Sequence, residues 1–337
     1  MKIALAQLNY HTGNFESNFE KIKEAILNAS NDRAELVVFS ELALCGYPPR
    51  DFLEFEAFLD TTEKYIQKIC KIDPKIGVII GAPSRNTGCP GKDLYNSAYY
   101  IYEGEVQDVV HKSLLPTYDI FDEYRYFEAA DESHCIEHHG KKIALTICED
   151  LWDIHENKLY KKDPMEQLIK DKPDVLINIA ASPFSTIQHD KRYEVLQFNA
   201  KKYSLPLLYV NHVGAQTELI FDGGSCLIDK DGEMQANAGF FNDELLLISI
   251  FDGETEKLKI ELPSKEECIY DALCLGIQDY FKKLAFKKCI IGLSGGLDST
   301  VVTTLAAQAL GSENVLAVLL PSQYSSEGSV KDSLQLV

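Results

Sequence analysis

The chain has little positive charge and no long apolar run. Its 337 residues include 33 lysines and arginines against 52 aspartates and glutamates, which gives a formal net charge of −19. We therefore expect no general binding to nucleic acid or to an anionic membrane, because both are negatively charged themselves. No apolar stretch approaches the roughly 20 residues that cross a bilayer as a helix, so the sequence predicts no transmembrane segment.

The nine cysteines lack the spacings of a metal site. None form a C-x-x-C pair, and no group of Cys and His residues has zinc spacing, so we expect no metal site. The N-terminus also lacks the pattern of a secretory signal peptide. Scattered cysteines in odd number are typical of free thiols in a reducing compartment, and we expect a cytoplasmic protein.

What the chain does contain is an alternation of short apolar strands with amphipathic helices. Hydrophobic residues make up 45% of the sequence and charged residues 25%, which is ordinary for a protein with a large core. Glu103-Gly104 and Asp231-Gly232 are typical of tight hairpin turns. Strand–helix alternation mixed with hairpins predicts an α/β layered fold with a mixed sheet over the first part of the chain.

The character of the sequence changes after residue 251. Residues 252–265 are charged and end in Pro-Ser-Lys, as a linker would. Ser264 and Glu267 then form a capping box that predicts the start of a helix. A strand, a glycine-rich loop, a helix and another strand follow, which is one βαβ unit. We predict a first domain over residues 1–251, a linker over 252–265 and an incomplete second domain over 266–337.

The second domain contains a single βαβ unit, the repeating unit of doubly wound α/β domains. Residues 266–337 are too few for a complete domain of that class, so we expect the chain to be the front part of a longer protein. A lone βαβ unit leaves sheet faces and an edge uncovered. It would need support from the first domain or from a partner, and this need is one reason to expect a homo-oligomer.

The glycine-rich loop has the features of a phosphate cradle. Residues 292–299 read Gly-Leu-Ser-Gly-Gly-Leu-Asp-Ser. Glycine lets the backbone approach a ligand closely, and successive N–H groups at the start of a helix form an anion-binding nest. A Walker A motif would need a lysine here, and the simplest alternative is a glycine-rich turn before a helix. The residues expected to bind ATP are Ser294, Gly295, Gly296, Leu297, Asp298 and Ser299.

The pattern Ser-Gly-Gly-x-Asp-Ser resembles the pyrophosphate loop of the ATP pyrophosphatase family. Enzymes of that family adenylate an oxygen of a substrate, release pyrophosphate and let a nitrogen or sulfur nucleophile displace AMP. The resemblance implies that ATP, with Mg²⁺, is used by the complete second domain. It leaves open where the nucleophile comes from.

Three residues with complementary chemistry follow predicted strands in the first domain. Glu41, Lys112 and Cys148 each come directly after an apolar run. Ligands bind at strand ends in α/β folds, and the three supply a carboxylate base, an ammonium for an oxyanion and a thiol nucleophile. Taken singly, each has a simpler interpretation: a solvated helix start, a surface lysine or a small core residue. Their combination favours an active site.

The surrounding sequence strengthens that interpretation. Segments 40–49, 112–116 and 148–152 read Ser-Glu-Leu-Ala-Leu-Cys-Gly-Tyr-Pro-Pro, Lys-Ser-Leu-Leu-Pro and Cys-Glu-Asp-Leu-Trp. They resemble the three signatures of the nitrilase (carbon–nitrogen hydrolase) superfamily, and the resemblance covers residues 1–250. It implies that the glutamate is the general base, the lysine stabilises the tetrahedral intermediate and the cysteine forms a thioester. Glu123 resembles a second family glutamate that helps to hold this group.

A nitrilase-type amidase followed by a pyrophosphate loop is similar to the family of glutamine-dependent NAD+ synthetases. That resemblance implies a four-layer αββα sandwich followed by the start of a doubly wound α/β adenine-nucleotide-binding domain. It implies that ammonia released from glutamine amidates adenylated deamido-NAD, with ATP and Mg²⁺ needed only in the second domain. Two rival interpretations are a free-standing amidase or nitrilase with a vestigial tail, and a non-catalytic scaffold.

The same resemblance implies a glutamine pocket. Its expected lining is Tyr47, Tyr118, Phe121, Glu149 and Ser182, although each could instead serve packing. Six residues after the pocket serine the family commonly has Lys or Arg, but this chain has Gln188, with Arg192 four residues later. A neutral amide donates a weaker hydrogen bond than a charged group. Either Arg192 takes over the substrate carboxylate, or glutamine binds less tightly.

Cys45 and His111 lie beside the expected site, and we interpret both as structural. Cys45 lacks a carboxylate and an ammonium at similar strand-end positions. His111 precedes Lys112, and the alternation of side chains along a strand directs the two to opposite faces.

Overall fold

The computed structural model describes residues 1–88, 90–154, 159–251, 262–321 and 327–336. Residues 252–261, most of the predicted linker, lie outside the described residues. The chain divides into two compact units, one made of Met1–Gly214 with Phe221–Leu262 and the other of Ala215–Ile220 with Pro263–Val337. The sequence-based domain limits place residues 215–220 in the first domain, whereas here they belong to the second unit. Those limits stay a prediction.

Strands and helices alternate through the chain. The strands are β1 (Lys2–Gln7), β2 (Leu36–Phe39), β3 (Gly77–Arg85), β4 (Leu94–Tyr102), β5 (Glu105–His111), β6 (Ile136–His138), β7 (Lys141–Ile147), β8 (Val175–Ala180), β9 (Leu207–Asn211), β10 (Val213–Gln216), β11 (Leu219–Asp222), β12 (Cys226–Ile228), β13 (Met234–Asn237), β14 (Glu244–Ser249), β15 (Cys289–Gly292) and β16 (Val315–Val318). The α-helices are α1 (Phe15–Asn31), α2 (Glu56–Ile69), α3 (Pro164–Leu168), α4 (Gln188–Tyr203), α5 (Lys265–Lys283), α6 (Leu297–Leu310) and α7 (Glu327–Leu336).

Two six-stranded mixed sheets form the centre of the first unit. The first has the order β14-β1-β2-β3-β4-β5 and the second the order β13-β12-β9-β8-β7-β6. In the first sheet β1, β2 and β3 are parallel, and in the second β7, β8 and β9 are parallel. The flanking strands pair antiparallel. Each sheet thus has a parallel centre, whose strand ends are suited to a binding site.

The two sheets face each other across one hydrophobic core. Alternate residues of the first sheet, among them Ile3, Leu5 and Val38, belong to the same buried cluster as Leu145 and Ile177 of the second sheet, since side chains alternate between the faces of a strand. α1 and α2 pack on the first sheet, and α4 packs on the second. This arrangement confirms the predicted four-layer αββα sandwich.

The sequence of α1 explains why it packs in this way. Asn14 caps the helix, because its side chain accepts a hydrogen bond from the backbone N–H of Ser17. The buried residues Ile22, Ala25 and Ile26 are spaced by three and four positions. This spacing gives one apolar stripe along the helix, which is the face it presents to the sheet.

His138, at the end of β6, links the second sheet to the first. Its Nδ1 lies 2.8 Å from the hydroxyl of Tyr100 in β4, and its Nε2 lies 3.0 Å from the backbone oxygen of Glu35, directly before β2. A carbonyl oxygen can only accept, so Nε2 carries the proton and Nδ1 accepts from the tyrosine. Burial lowers the pKa of His138, which favours this neutral form. The link lies where the parallel strands begin.

The second unit contains the predicted capping box and βαβ arrangement. The Ser264 side chain accepts from the backbone N–H of Glu267, whose carboxylate accepts from the backbone N–H of Ser264, at the start of α5. β15 and β16 are parallel neighbours, and α6 lies between them in sequence. The side chain of Asp279 in α5 accepts a hydrogen bond of 2.6 Å from the backbone N–H of Ala215. This bond connects the segment Ala215–Ile220 to the rest of the second unit. Among the described residues, no helix combines the length and apolar character needed to cross a membrane.

Candidate active site

The candidate catalytic side chains lie at the carboxyl ends of strands in both sheets. Glu41 comes shortly after β2, and Lys112 directly follows β5, which runs in the same direction as β3. Cys148 directly follows β7, and Ala181 directly follows β8. All four residues are buried. Burial in this setting removes water from the groups that would react and strengthens the electrostatic forces between them.

The ammonium group of Lys112 lies between two carboxylates. Its Nζ is 2.7 Å from Oε1 of Glu41 and 2.8 Å from Oε2 of Glu123, and the side chain has no solvent exposure. Burial opposes the charge, but the carboxylates of Glu123 and Glu41 outweigh it and raise the pKa of Lys112 well above its usual range. Lys112 is therefore a fixed positive charge, and it is bonded to two side chains that the sequence singled out.

Both oxygens of Glu41 accept hydrogen bonds. Oε1 accepts from Lys112 Nζ at 2.7 Å and from the Nδ2 amide of Asn96, also at 2.7 Å. Oε2 accepts from the backbone N–H of Ala181 at 2.9 Å. Each carboxylate oxygen has two lone pairs, so these contacts fill Oε1 and leave one lone pair on Oε2. That lone pair is the one suited to accept a proton.

Glu123 forms the other side of the ammonium site. Its Oε1 accepts a hydrogen bond of 3.0 Å from the hydroxyl of Tyr47, and Lys112 donates to both of its oxygens. Burial raises the pKa of Glu123 to about 7, against the lowering effect of Lys112. Tyr47 was predicted to line a glutamine pocket, and the structure places its hydroxyl on this carboxylate.

Cys148 occupies a constrained position in the backbone. Its φ angle is 44°, in the left-handed region that a non-glycine residue seldom adopts. The conformation begins a 3₁₀ turn over Cys148–Leu151, so the chain turns sharply as it leaves the strand. A strained residue at a strand end is common at functional sites.

Asp150 fixes this turn against the one that carries the lysine. One of its oxygens accepts from the backbone N–H groups of Ser113 and Leu114, at 3.0 Å and 2.9 Å. The other accepts from the backbone N–H of Ile147 at 3.0 Å. A single carboxylate thus joins the chain after β5 in the first sheet to the chain before Cys148 in the second.

The thiol of Cys148 is protonated in the resting site. Burial and the charge of Glu41 raise its pKa well above the usual range, while Lys112 acts in the opposite direction. A thiol is a much weaker nucleophile than a thiolate. Nucleophilic attack by this cysteine therefore requires a base, and Glu41 has the chemistry for that role.

A second polar cluster surrounds Glu149, directly after the cysteine. Tyr118 donates from its hydroxyl to both carboxylate oxygens of Glu149, at 3.0 Å and 2.8 Å. Tyr160, which the sequence did not single out, donates to Oε1 at 3.0 Å. Phe121 packs edge-on against Tyr118, with ring centroids 5.7 Å apart. The cluster presents an oriented carboxylate, which can accept hydrogen bonds from an ammonium group.

The two residues considered for the substrate carboxylate have different environments. Arg192 is buried, and its guanidinium lies 2.9 Å from a carboxylate oxygen of Asp222, with a further hydrogen bond of 3.3 Å to the backbone oxygen of Ser182. Gln188 is half-buried at the first position of α4, where its backbone N–H bonds to the hydroxyl of Ser185. The arginine already has a charged partner, which favours Gln188, but the choice stays a prediction.

In the second unit, polar groups of the glycine-rich loop form hydrogen bonds with one another. The Ser294 hydroxyl lies 3.0 Å from the Ser299 hydroxyl and accepts from the backbone N–H of Gly296 at 3.3 Å. Gly295 has a φ of 79°, and a Cβ there would meet the backbone oxygen of Ser329 at 2.1 Å, so only glycine fits. α6 begins at Leu297, and a cavity of about 240 Å³ lies beside the loop, lined in part by Ser294.

Cys45 and His111 have the environments expected of structural residues. The Cys45 sulfur lies 3.6 Å from the backbone oxygens of Leu42 and Gly46. His111 stacks on Tyr95, with ring centroids 4.2 Å apart. In the described part of the chain, no group of three or more His, Cys, Asp or Glu side chains is placed to hold a metal ion.

Three residues that contact the site were missed in the sequence: Asn96, Asp150 and Tyr160. The available signal for Asn96 was a polar residue inside a buried strand, and for Asp150 a second acidic residue after the cysteine. Neither signal says which distant group the side chain contacts. Tyr160 follows a segment that gave no pattern at all.

The chain is similar to proteins of two families. The carbon–nitrogen hydrolase family matches residues 2–259, and the NAD synthase family matches residues 269–337. A curated relative from Synechocystis sp., a glutamine-dependent NAD(+) synthetase, is 42% identical over 345 residues, which cover 99% of this chain and 62% of the relative. The chain therefore spans less than two thirds of that relative's length.

Solved structures show the same similarity. The glutamine-dependent NAD+ synthetase from Acinetobacter baumannii, in complex with ADP, has a TM-score of 0.89 and 32% identity, over 99% of this chain and 62% of that one. An amidase from Nesterenkonia sp. has a TM-score of 0.63 over 74% of this chain and 89% of its own, at 21% identity. The second likeness concerns the fold alone.

Proposed function

Because this chain belongs to the carbon–nitrogen hydrolase family, we propose that its first unit hydrolyses glutamine and supplies ammonia to a glutamine-dependent NAD+ synthase reaction. The observation that carries the proposal is the buried ammonium of Lys112, which is bonded to Glu41 and Glu123 and lies near enough to Cys148 for all three charges to act on its thiol. The match of residues 269–337 to the NAD synthase family supports the second half of the reaction.

The reaction begins with transfer of the Cys148 proton to the free lone pair on Oε2 of Glu41. The thiolate then attacks the side-chain amide carbon of glutamine. The carbonyl oxygen becomes an oxyanion, which the charge of Lys112 and the backbone N–H of Glu149 stabilise. A buried site makes this stabilisation stronger than it would be in water.

The intermediate collapses when its carbon–nitrogen bond breaks. The proton held by Glu41 passes to the leaving nitrogen, so ammonia departs and a thioester remains on Cys148. Water then attacks the thioester, with Glu41 again as the base. The carbon–sulfur bond breaks, the Cys148 sulfur takes the proton back from Glu41, and glutamate leaves. The carboxylate thus acts as base and then as acid in each half of the reaction.

Recognition of glutamine uses the polar groups around this centre. The Glu149 carboxylate, oriented by Tyr118 and Tyr160, accepts from the α-ammonium group of the substrate. The α-carboxylate faces Gln188, and Ser182 lines the wall between. An acceptor for the ammonium and a donor for the carboxylate would distinguish glutamine from simple amides.

The loop over 294–299 in the second unit binds the phosphates of ATP. Its backbone N–H groups and the hydroxyls of Ser294 and Ser299 are suited to an anion at the start of α6. There a carboxylate oxygen of deamido-NAD attacks the α-phosphate of ATP and pyrophosphate leaves, and ammonia then displaces AMP from the adenylate. Mg²⁺ would accompany the phosphates, with Asp298 as the acidic residue of the loop.

Two further proposals concern the state of the protein. Ile290 and Leu316 are neighbours on β15 and β16, and both are largely exposed, at 74% and 58%. Covering them by another chain would remove apolar surface from water, which supports a homo-oligomer. The free cysteines among the described residues support a reducing compartment such as the cytoplasm.

The test measures ammonia and glutamate released from glutamine by the purified chain, with asparagine and a simple aliphatic amide as comparison substrates. We expect hydrolysis with a clear preference for glutamine. Equal hydrolysis of simple amides would favour a free-standing amidase, and no hydrolysis would favour a scaffold. AMP formation that requires deamido-NAD and ATP, with ammonia supplied, tests the synthase part separately.

Changing Gln188 to Lys should tighten glutamine binding. A charged donor facing the substrate carboxylate should contribute about 1 kcal/mol more than a neutral amide, which is a several-fold fall in KM. KM for glutamine and for an amide without an α-carboxylate should be measured side by side, because only the first should change. An unchanged KM, together with a strong rise in Arg192→Ala, would assign the role to Arg192.

A further inference from the structure

Asn96 lies near the start of β4, fully buried, with its amide beside the two carboxylates of the candidate site. Its Nδ2 donates to Oε1 of Glu41 at 2.7 Å and approaches Oε2 of Glu123 at 3.4 Å. Its Oδ1 is buried with no hydrogen-bond partner among the described residues. An unpartnered buried acceptor is costly, and an apolar residue of similar size would avoid that cost. The amide is therefore best explained by what its Nδ2 contacts.

The contact decides which oxygen of Glu41 can take a proton. Lys112 and Asn96 together fill the two lone pairs of Oε1, whereas Ala181 is the single donor to Oε2 among the described residues. A proton arriving from Cys148 can therefore go only to Oε2. Without Asn96, Oε1 would have a free lone pair and the carboxylate could also turn or take its proton on the side that faces Lys112.

The contact also gives the Glu41 carboxylate a donor in addition to Lys112 and Ala181. A hydrogen bond donated to a charged carboxylate stabilises the charged form over the neutral one. The other groups that face Glu41 are Lys112, Glu123, Tyr47 and Cys148 from neighbouring elements, and His212, which donates to its backbone oxygen at 2.6 Å. Of these groups, Glu123 and a Cys148 thiolate would repel a negative charge on Glu41. The hydrogen bond from Asn96 acts in the opposite direction.

We propose that Asn96 is a positioning residue for the general base: it occupies Oε1 of Glu41 together with Lys112 and so leaves Oε2 as the proton acceptor. The proposal rests on the proposed glutaminase reaction for its role. It concerns a residue that need not touch the substrate and acts through Glu41.

The experiment compares the unaltered chain with Asn96→Leu, which removes the donor but keeps the size. The first readout is kcat/KM for glutamine hydrolysis from pH 5 to 9, and the second is the rate at which iodoacetamide alkylates Cys148 over the same range, followed by mass spectrometry. We expect the acidic limb of both profiles to move upward by about one pH unit, the size of one lost charge-assisted bond. Activity should be about tenfold lower at pH values below the acidic limb and should recover fully above it.

The matched control is Ser97→Ala on the same strand. Ser97 is also fully buried, but it bonds to Ser84 and His111 on the other face. Its replacement should leave both acidic limbs where they are. If Asn96→Leu gives no soluble protein, Asn96→Ser is measured instead, because serine is too short to reach Glu41.

A loss in the Asn96 variant that is equal at every pH, with unmoved acidic limbs, would overturn the proposal and assign a packing role to Asn96. Unchanged activity would overturn it as well. If the unaltered chain hydrolyses no glutamine, the proposed function fails, but the alkylation profile of Cys148 still decides whether Asn96 acts on the base.

Discussion

Replacing Cys148 with alanine should abolish glutamine hydrolysis, by about 10⁴-fold or more, because no other group can form the thioester. Ammonia release from saturating glutamine is the measurement. In a protein that also carries out NAD+ synthesis, synthesis driven by added ammonia should stay nearly intact, since only the source of ammonia is lost. Equal loss of both activities would refute this division of roles.

Cys45→Ala is the matched control for that substitution. Cys45 is as deeply buried as Cys148 and lies in the segment that contains Glu41, but its sulfur contacts only backbone oxygens in the hydrogen bonds the structure gives it. Loss of the Cys45 sulfur should leave a small cavity and lower the free energy of unfolding by about 1 kcal/mol. The rate of glutamine hydrolysis should stay within about twofold of the rate of the unaltered chain. Hydrolysis that depends on Cys45 instead would contradict the assignment of the nucleophile.

Replacing Lys112 with methionine should remove activity and destabilise the fold. The oxyanion loses its positive charge, which should lower kcat by about 10³-fold. The carboxylates of Glu41 and Glu123 are left buried without their cation, and breaking a buried pair in this way costs about 3–5 kcal/mol. Denaturant unfolding followed by circular dichroism measures the second effect, and the activity assay measures the first.

The stability loss in Lys112→Met should depend on pH. Even beside the lysine, burial raises the pKa of Glu123 to about 7, and removal of the cation should raise it further. A carboxyl group whose pKa is raised on folding binds its proton more tightly in the folded state, so its contribution to stability is present at low pH and disappears as the pH rises. The variant should therefore lie closest to the unaltered protein near pH 5 and furthest from it near pH 8.

A double substitution separates charge from packing in that result. Lys112→Met with Glu123→Gln removes one cation and one carboxylate, and the amide keeps the volume of the glutamate. Much of the lost stability should return at pH 8, whereas activity should not. If the double variant is no more stable than the single one, the loss comes from packing around the lysine side chain and not from an uncompensated charge.

The sequence was sufficient for those features of the site that depend on strand ends. Glu41, Lys112 and Cys148 each follow an apolar run, and the end of such a run marks the end of a strand. The strands before Glu41 and Cys148 are largely buried on both faces, whereas β5 before Lys112 is mostly half-buried or exposed. Their residue types then supplied the chemistry. The same reasoning gave the capping box at Ser264 and the glycine-rich loop before α6, since both are local patterns.

Features that depend on contacts distant in sequence were not predictable. Asn96 and Asp150 bond to groups tens of positions away, and nothing within a short window of sequence indicates such a partner. The short strands β6 and β13 have three and four residues, too few for a periodic pattern to be recognised. The start of α4 at Gln188 also carries no local signal, because no side chain caps it.

The bonds of Asp150 also bear on how such a site can change over evolutionary time. Three backbone N–H groups donate these bonds to the Asp150 carboxylate. The bonds therefore hold the segments that carry Lys112 and Cys148 in place without using either reactive side chain. The residue that holds this frame, Asp150 with its three backbone partners, is thus different from the residues that would react. A lineage could exchange the nucleophile, or lose it and keep only a binding role, while the contact between the two sheets stays the same. Exchange of the aspartate would alter every reaction that the frame could support.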